Sequence, residues 1–217
     1  MLFRSLGGFV TRLGIGGLPF LLPLLYQLGL GLPAWESGLL MMPAAAGAMF
    51  MKVLSSTVLR RFGYRQVLVV NTVLIACCIA GYSLIGPGVS VWTILALGLT
   101  MGLFNSLQFS SLNTMAYADI DAADASMAST IASTLQQMSL SFGLASASLV
   151  TVFFLSDLPQ SDHLAVTGAL HHGYLMMAAL TLVSSLAFWG LRKNDGESIS
   201  KGAPAAAQGE PRQSELS

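Results

Sequence analysis

The sequence predicts an all-α membrane protein, a six-helix transmembrane bundle, and three observations lead there. Of the 217 residues 54% are hydrophobic and only 9% charged, whereas an ordinary soluble domain carries about 25% charge. Mean hydropathy is +0.70. The apolar residues fall into long runs divided by short breaks. Because a bilayer-spanning helix takes about 20 mostly apolar residues, the length accommodates about six spans and leaves no room for a second, soluble domain.

The first span is expected over Leu6–Leu30 and the second over Ser37–Leu59, with Gly, Pro and Trp between them forming an interfacial turn. A third span over Gln66–Ile85 stops at Gly86-Pro87-Gly88, and a fourth follows over Val91–Tyr117. The fifth covers Ala125–Leu155. A polar loop then runs to about Leu170 and the sixth span covers Gly173–Leu191. The apolar stretch after Arg4 continues past Gly31 without a small-residue cleavage site, so it is expected to remain as the first span. Residues 1–193 thus form the transmembrane domain. Residues 194–217, rich in Ala, Gly, Ser, Glu and Gln, are expected to be a disordered polar tail.

Orientation follows from Lys and Arg, which concentrate in cytoplasmic loops. Arg60, Arg61 and Arg65 lie between the second and third spans, Arg192 and Lys193 follow the sixth, and Arg4 precedes the first. The connections after the first, third and fifth spans contain neither residue type. Those three are therefore expected outside, with both termini and the tail cytoplasmic. The acidic turn from Asp119 to Asp124 falls on the cytoplasmic side, which is compatible because acidic residues contribute little to the rule.

Zero formal net charge and scattered basic residues exclude a nucleic-acid footprint, which needs a basic face. Cys77 and Cys78 are adjacent inside an apolar run, so they read as packing residues rather than as a disulfide or metal site. No cofactor is expected.

Polar groups in hydrocarbon are costly and face a bundle interior or a wet cavity. The first span holds Arg12, Tyr26 and Gln27 with Pro19 and Pro23, and the second holds Lys52. The fourth holds Asn105, Gln108 and Asn113, which at about 100° per residue share an arc of roughly 140°. The fifth carries Ser126, Ser129, Thr130, Ser133, Gln136, Gln137 and Ser141; the third and sixth have little beyond Asn71 and scattered Ser and Thr. The serines suit close helix packing. Arg12 and Lys52 either snorkel to the nearby boundary or line a cavity. For Gln27, Asn105 and Gln108 the depth favours a cavity.

Four stretches, RLGIGGLPFLLPLLYQ (Arg12–Gln27), LRRFGYRQVLVVN (Leu59–Asn71), GLFNSLQFSSLNTMAYAD (Gly102–Asp119) and STLQQMSLSFGLA (Ser133–Ala145), together carry a resemblance. The sequence resembles the C-terminal six-helix half of a major facilitator superfamily transporter, in the fourteen-helix drug:proton antiporter branch that includes bacterial multidrug exporters. The resemblance implies a 3+3 inverted repeat, with the first helix of each triplet lining a central cavity and the third facing lipid. It implies export of small amphipathic organic compounds or drugs by alternating access across a bacterial cytoplasmic membrane, coupled to protons. The partners implied are an N-terminal half in cis or trans, the organic substrate, protons and lipid. The substrate cavity would involve Arg12, Tyr26, Gln27, Lys52, Asn105, Gln108, Asn113 and Gln137. A cytoplasmic gating loop of the type G-x-x-x-D-R-x-G-R would fall on Arg60, Arg61, Gly63 and Arg65. Arg61 and Gly63 match it, while Ser56 stands at the first Gly, Arg60 at the Asp, and Arg65 is displaced behind Tyr64. The family couples transport through a membrane carboxylate. No Asp or Glu lies within the six expected spans, so that group is expected in the N-terminal half.

Two other classes compete. An intramembrane hydrolase would want a Ser in a G-x-S-G setting with a His on another helix, but Gly81-Tyr82-Ser83 is followed by Leu84 and Gly88-Val89-Ser90 by Val91. An extracytoplasmic metal sensor would draw on Asp157, Asp162, His163, His171 and His172, whose residue types suit a metal although their spacing matches no standard site. The chain is therefore read as a transporter rather than an enzyme.

Overall fold

The computed structural model describes residues 2–117, 125–156, 159 and 163–189. The tail and the acidic turn between the fourth and fifth spans lie outside the described residues. Among those described, six helical segments are long and apolar enough to cross a membrane.

The first span is broken. It consists of α1 (Leu2–Gly16), α2 (Leu18–Leu24) and a π-helical turn, Leu25–Gly29. Pro19 and Pro23 have no N–H to give to the preceding turn, so the ladder loses two rungs within five residues. Beyond them it widens: the Leu30 N–H donates to the Leu25 carbonyl at 2.9 Å and the Leu32 N–H to Tyr26 at 2.9 Å. Wide turns of this kind commonly mark functional segments of a helix.

The remaining spans are α3 (Ala34–Phe62), α4 (Tyr64–Tyr82), α5 (Val91–Tyr117), α6 (Ala125–Leu155) and α7 (His163–Trp189). Only Gly63 separates α3 from α4, and its φ of 76° lies in the region that favours glycine. The sixth span starts at His163, ten residues before the expected Gly173. The polar residues there predict a loop, but Leu164, Val166, Ala169 and Leu170 recur at helical spacing. The polar side chains between them find backbone partners instead of water, as described below.

Helix contacts follow a 3+3 pattern. The second span packs on the fourth (α3 on α5) as the fifth packs on the first (α6 on α1), and α1 meets α7 as α5 meets α4; α4 and α7 pack on each other. The first two crossings use the same device. A Cβ at Gly102 would run into the Ala44 carbonyl, and a Cβ at Gly143 into the Leu13 carbonyl, so glycine is what permits each backbone-to-backbone approach. Close packing through small residues is the usual cement between membrane helices, where lipid supplies no hydrophobic drive.

The core lies between the first span, α4 and α7, where Leu21, Leu25, Ile75, Ile79, Leu170 and Tyr174 are fully enclosed. A smaller cluster of Leu59, Val67, Leu68, Leu107 and Leu112 sits toward the end bearing Arg60–Arg65. Cys78 joins the core while Cys77 is exposed. The third and sixth spans each turn one face outward, with Val70, Val73 and Leu74 exposed on α4 and Met176, Leu182 and Val183 on α7. Their other faces are buried in the bundle. The least covered spans are α3 and α6, only 17% and 22% buried over their apolar windows.

Candidate functional site

Arg12 does not snorkel along its own helix. Its Nη2 donates to Asn113 Oδ1 on α5 at 3.1 Å, and the guanidinium lies 5.6 Å from the centre of the Phe109 ring. Nε is enclosed and has no partner. The helix period brings Phe9 to the same face one turn earlier, where its ring meets Phe142 of α6 at 6.3 Å. This face of α1 therefore looks toward both α5 and α6. Ser133, Thr134, Gln137, Ser141, Met138 and Phe142 line an open groove of about 660 Å³ there. Ser133 and Thr134 give their hydroxyl protons to carbonyls of their own helix, at 2.8 Å to Ser129 and 2.9 Å to Thr130. The exposed amide of Gln137 is the most versatile hydrogen-bonding group on that strip. Lys52 and Gln27 are also exposed, on α3 and on the π-helical turn.

Two residues expected on a cavity are enclosed instead. Tyr26 is 1% exposed and belongs to the core beside Tyr82 and Tyr174, whose rings stack at 5.6 Å. Gln108 is wholly buried. Its Oε1 accepts from Asn71 Nδ2 at 2.7 Å and its Nε2 donates to Thr72 Oγ1 at 2.8 Å, while Asn71 Nδ2 also donates to the Phe104 carbonyl at 2.9 Å. Gln108 has a partner at each end of its amide, whereas Asn71 leaves its Oδ1 enclosed and unpartnered. Asn105, half-buried one turn away, leaves its Oδ1 enclosed and unpartnered.

The gating-loop residues share one end of the bundle. Arg60 and Arg61 are exposed in the last turn of α3, where cations complement the helix dipole. Gly63 turns the chain, its N–H bonded to the Leu59 carbonyl at 3.0 Å and its carbonyl accepting from the Val67 N–H at 3.1 Å. Arg65 is half-buried.

At the opposite end a stripe on α7 holds backbone carbonyls that the neighbouring helix ends leave free. His163 Nδ1 bonds the Leu28 carbonyl at 2.7 Å, Thr167 Oγ1 shares its one proton between the His163 carbonyl of its own helix at 2.7 Å and Gly29 at 3.1 Å, and His171 Nε2 bonds the Ile85 carbonyl at 2.7 Å. His172 instead lies beside Phe154, with ring centres 5.5 Å apart. Two of the imidazoles offered to a metal are thus engaged with backbone, and Asp157 and Asp162 lie outside the described residues. Among those described, no group of three or more His, Cys, Asp or Glu is placed to hold a metal ion.

Sequence reasoning missed Asn71, Thr72, the α7 stripe, and the contact of Thr11 Oγ1 with Ser184 Oγ at 2.8 Å. Asn71 carried a readable signal as the one amide of the third span away from its ends. For the threonines and serines, residue type alone gives no partner.

The profile of the Major Facilitator Superfamily matches residues 2–144. The chain belongs to the major facilitator superfamily. It is 33% identical over 177 residues to a protein of Serratia proteamaculans provisionally named multidrug resistance protein MdtD, covering 82% of this chain and 37% of that one. A protein of the same provisional name from Cronobacter sakazakii is 35% identical over 191 residues, covering 86% of this chain and 39% of that one. The superfamily is one of membrane transporters, and this member is an integral membrane protein with six candidate spans among the described residues. The matched segment spans under two fifths of the length of these relatives.

Proposed function

We propose that this major facilitator chain acts as the C-terminal half of an exporter of small amphipathic organic compounds or drugs, driven by proton entry and working by alternating access. The observation that carries the reading is the open face of the bundle. There α6, with α3 one of the two least covered spans, bears a groove with Gln137, Met138 and Phe142, and Arg12 reaches across from α1 to α5. A face with Arg12 and the exposed Lys52 is a poor lipid surface, because even the lower insertion scale puts a cation at the helix centre at about 2.5–3.5 kcal/mol. An N-terminal half, in cis or trans, would cover it, and rocking of one half against the other about the enclosed site would give alternating access. Proton uptake belongs on this reading to that other half, since the one carboxylate within the described spans, Glu36, sits at the very start of α3 and not in the middle of a helix. The positive-inside bias supports a cytoplasmic location for the Arg60–Arg65 turn and both termini, and the bacterial relatives support a bundle in the inner membrane. The chain is on this reading a carrier and not an enzyme.

The test is reconstitution in liposomes with an imposed proton gradient, assaying efflux of several dyes from the chain alone and with a co-expressed N-terminal half. Gradient-driven efflux is expected only with both halves. Robust efflux from the chain alone would overturn the half-transporter reading in favour of a homodimer.

A further inference from the structure

Arg12 stands in an unusual electrostatic position for a membrane residue. Counting from Leu6, where the apolar span is expected to begin, it lies about 9 Å inside at 1.5 Å per residue. A cation at that depth ordinarily reaches back to water along its own helix or pairs with an acid. Arg12 does neither among the described residues. Its guanidinium crosses to α5, takes one neutral amide oxygen from Asn113, sits over the Phe109 ring and leaves Nε enclosed without an acceptor. Away from the helix ends the charges within the described spans are Arg12 and Lys52, both positive, and the one carboxylate among the described residues, Glu36, lies in the first turn of α3. A planar guanidinium is built for two parallel bonds to a carboxylate, and a single amide acceptor leaves most of that capacity unused.

We propose that Arg12, oriented by Asn113, is the docking point for a carboxylate group entering the open face between α1, α5 and α6. The surroundings favour an acid with an aromatic body. Phe109 lies under the guanidinium, and Phe142 lines the adjoining groove in contact with Phe9. A carboxylate arriving there would replace or join the Asn113 oxygen and exchange a neutral bond for a charge-assisted one. This deepens the exporter reading by giving the chemistry of what the face accepts. It is tested by binding alone, so its failure and a failure of transport are separate results. The carboxylate has two candidate sources, the transported compound and a membrane acid on the N-terminal half.

The experiment places the chain in nanodiscs of zwitterionic lipid and compares binding of 1-naphthoate with that of 1-naphthylmethylammonium, an aromatic cation of similar size, by saturation-transfer NMR. Naphthoate should bind at least about tenfold more tightly than the cation, the size of effect one charge-assisted pair supplies. Arg12→Gln should abolish that preference, and Arg12→Lys should keep part of it because the charge remains but the fork is lost. Asn113→Ala, which keeps the cation but removes its orienting contact, should weaken naphthoate binding less than Arg12→Gln, and unchanged binding of the aromatic cation in Arg12→Gln guards against a variant that merely misfolds. Repeating the titration with the N-terminal half co-assembled separates the sources. Persistent naphthoate binding assigns the site to the substrate's acid, and binding lost on assembly assigns it to a carboxylate of the other half. Either result leaves a carboxylate on Arg12. Equal binding of the two probes, or an unchanged preference in Arg12→Gln, would overturn the proposal. So would equal losses from Arg12→Gln and Lys52→Gln, which would mean diffuse attraction. Loss of binding when phosphatidylglycerol replaces the zwitterionic lipid would also overturn it, making Arg12 a headgroup contact. A rise in naphthoate affinity on replacing Asp119, Asp121 and Asp124 together by Asn would overturn it too, by assigning Arg12 to that turn.

Discussion

The side-chain amide of Asn71 donates to Oε1 of Gln108 across 2.7 Å, and Gln108 in turn donates to Thr72 Oγ1 at 2.8 Å. This polar seam ties the third span to the fourth inside an apolar bundle. In hydrocarbon an amide left alone has no water to turn to, so the pair is expected to behave as a unit. Asn71→Leu or Gln108→Leu alone should each destabilise the bundle by about 1–2 kcal/mol, because each strands the other amide. The double Leu variant should cost less than the sum of the two, with a coupling of about 0.5–1.7 kcal/mol, the range of membrane interhelical bonds. Thermal or denaturant unfolding in detergent measures this, and strictly additive losses would mean that the two residues act separately.

A second prediction concerns the crossing of α3 and α5. Gly102 meets the backbone of Ala44 with no space for a side chain, whereas Gly38 near the start of α3 has nothing within 4 Å of a would-be Cβ. Gly102→Leu should therefore cost at least the about 1–3 kcal/mol typical of overpacking. Gly38→Ala should be neutral or stabilise by up to about 1 kcal/mol through the helix propensity of Ala. Comparable effects of the two substitutions on unfolding would contradict the close crossing.

Much of this architecture was legible beforehand, and the reasons are local. Hydropathy located the spans because an apolar run of this length has few other uses, and Gly63 and Gly86-Pro87-Gly88 marked their ends. The 3+3 pattern came with the resemblance and recurs in the helix contacts. What failed was direction around each helix. Asn105, Gln108 and Asn113 share one arc of α5 by periodicity, yet Gln108 turns to α4, Asn113 to Arg12 on α1, and Asn105 leaves an oxygen enclosed without a partner. An arc of roughly 140° is wide enough to border two neighbours, and only the packed bundle tells them apart. Tyr26 was misplaced for a similar reason. The π-helical turn shifts the helical phase after Pro23, so its ring points into the core and Gln27 faces out. His163 and Thr167 were read as loop because their polarity suits a loop, while their carbonyl partners lie 135 and 138 residues away in sequence.

Orientation supplies a third prediction. In a background with Cys77 and Cys78 replaced, Ser90→Cys at the Gly86 end and Arg61→Cys in the basic turn are both on exposed positions. An impermeant thiol reagent applied to intact cells should label Cys at position 90 and reach position 61 only after lysis. The reverse result would invert the topology drawn from the Lys and Arg bias.

The last prediction joins the break in the first span to the stripe on α7. Pro19, Pro23 and the π-helical turn leave the span with a weakened backbone ladder, and its last carbonyls have no partner further along the helix. His163 and Thr167 supply those partners from the first turns of α7, at Leu28 and Gly29. The two contacts act on one short segment, so their removal should loosen the π-helical turn before it affects the rest of the bundle. A net contribution of about 0.5–1.5 kcal/mol for such a bond corresponds to faster hydrogen exchange by about 2- to 12-fold at the amides of Leu30 and Leu32. These amides close the wide turn onto Leu25 and Tyr26. His163→Ala and Thr167→Val should each produce that increase, and the pair together a larger one. His172→Ala, which removes a ring beside Phe154 and no carbonyl partner, should leave those amides unchanged, as should substitution of the exposed Leu164 between the two clamping residues. Exchange at core amides such as Ile75 and Ile79 should stay slow in every variant, which separates local release from global loss of stability. If the clamping variants instead accelerate exchange throughout α4 and α7, the histidine and threonine hold the bundle as a whole, and the π-helical turn is no more releasable than the helices around it.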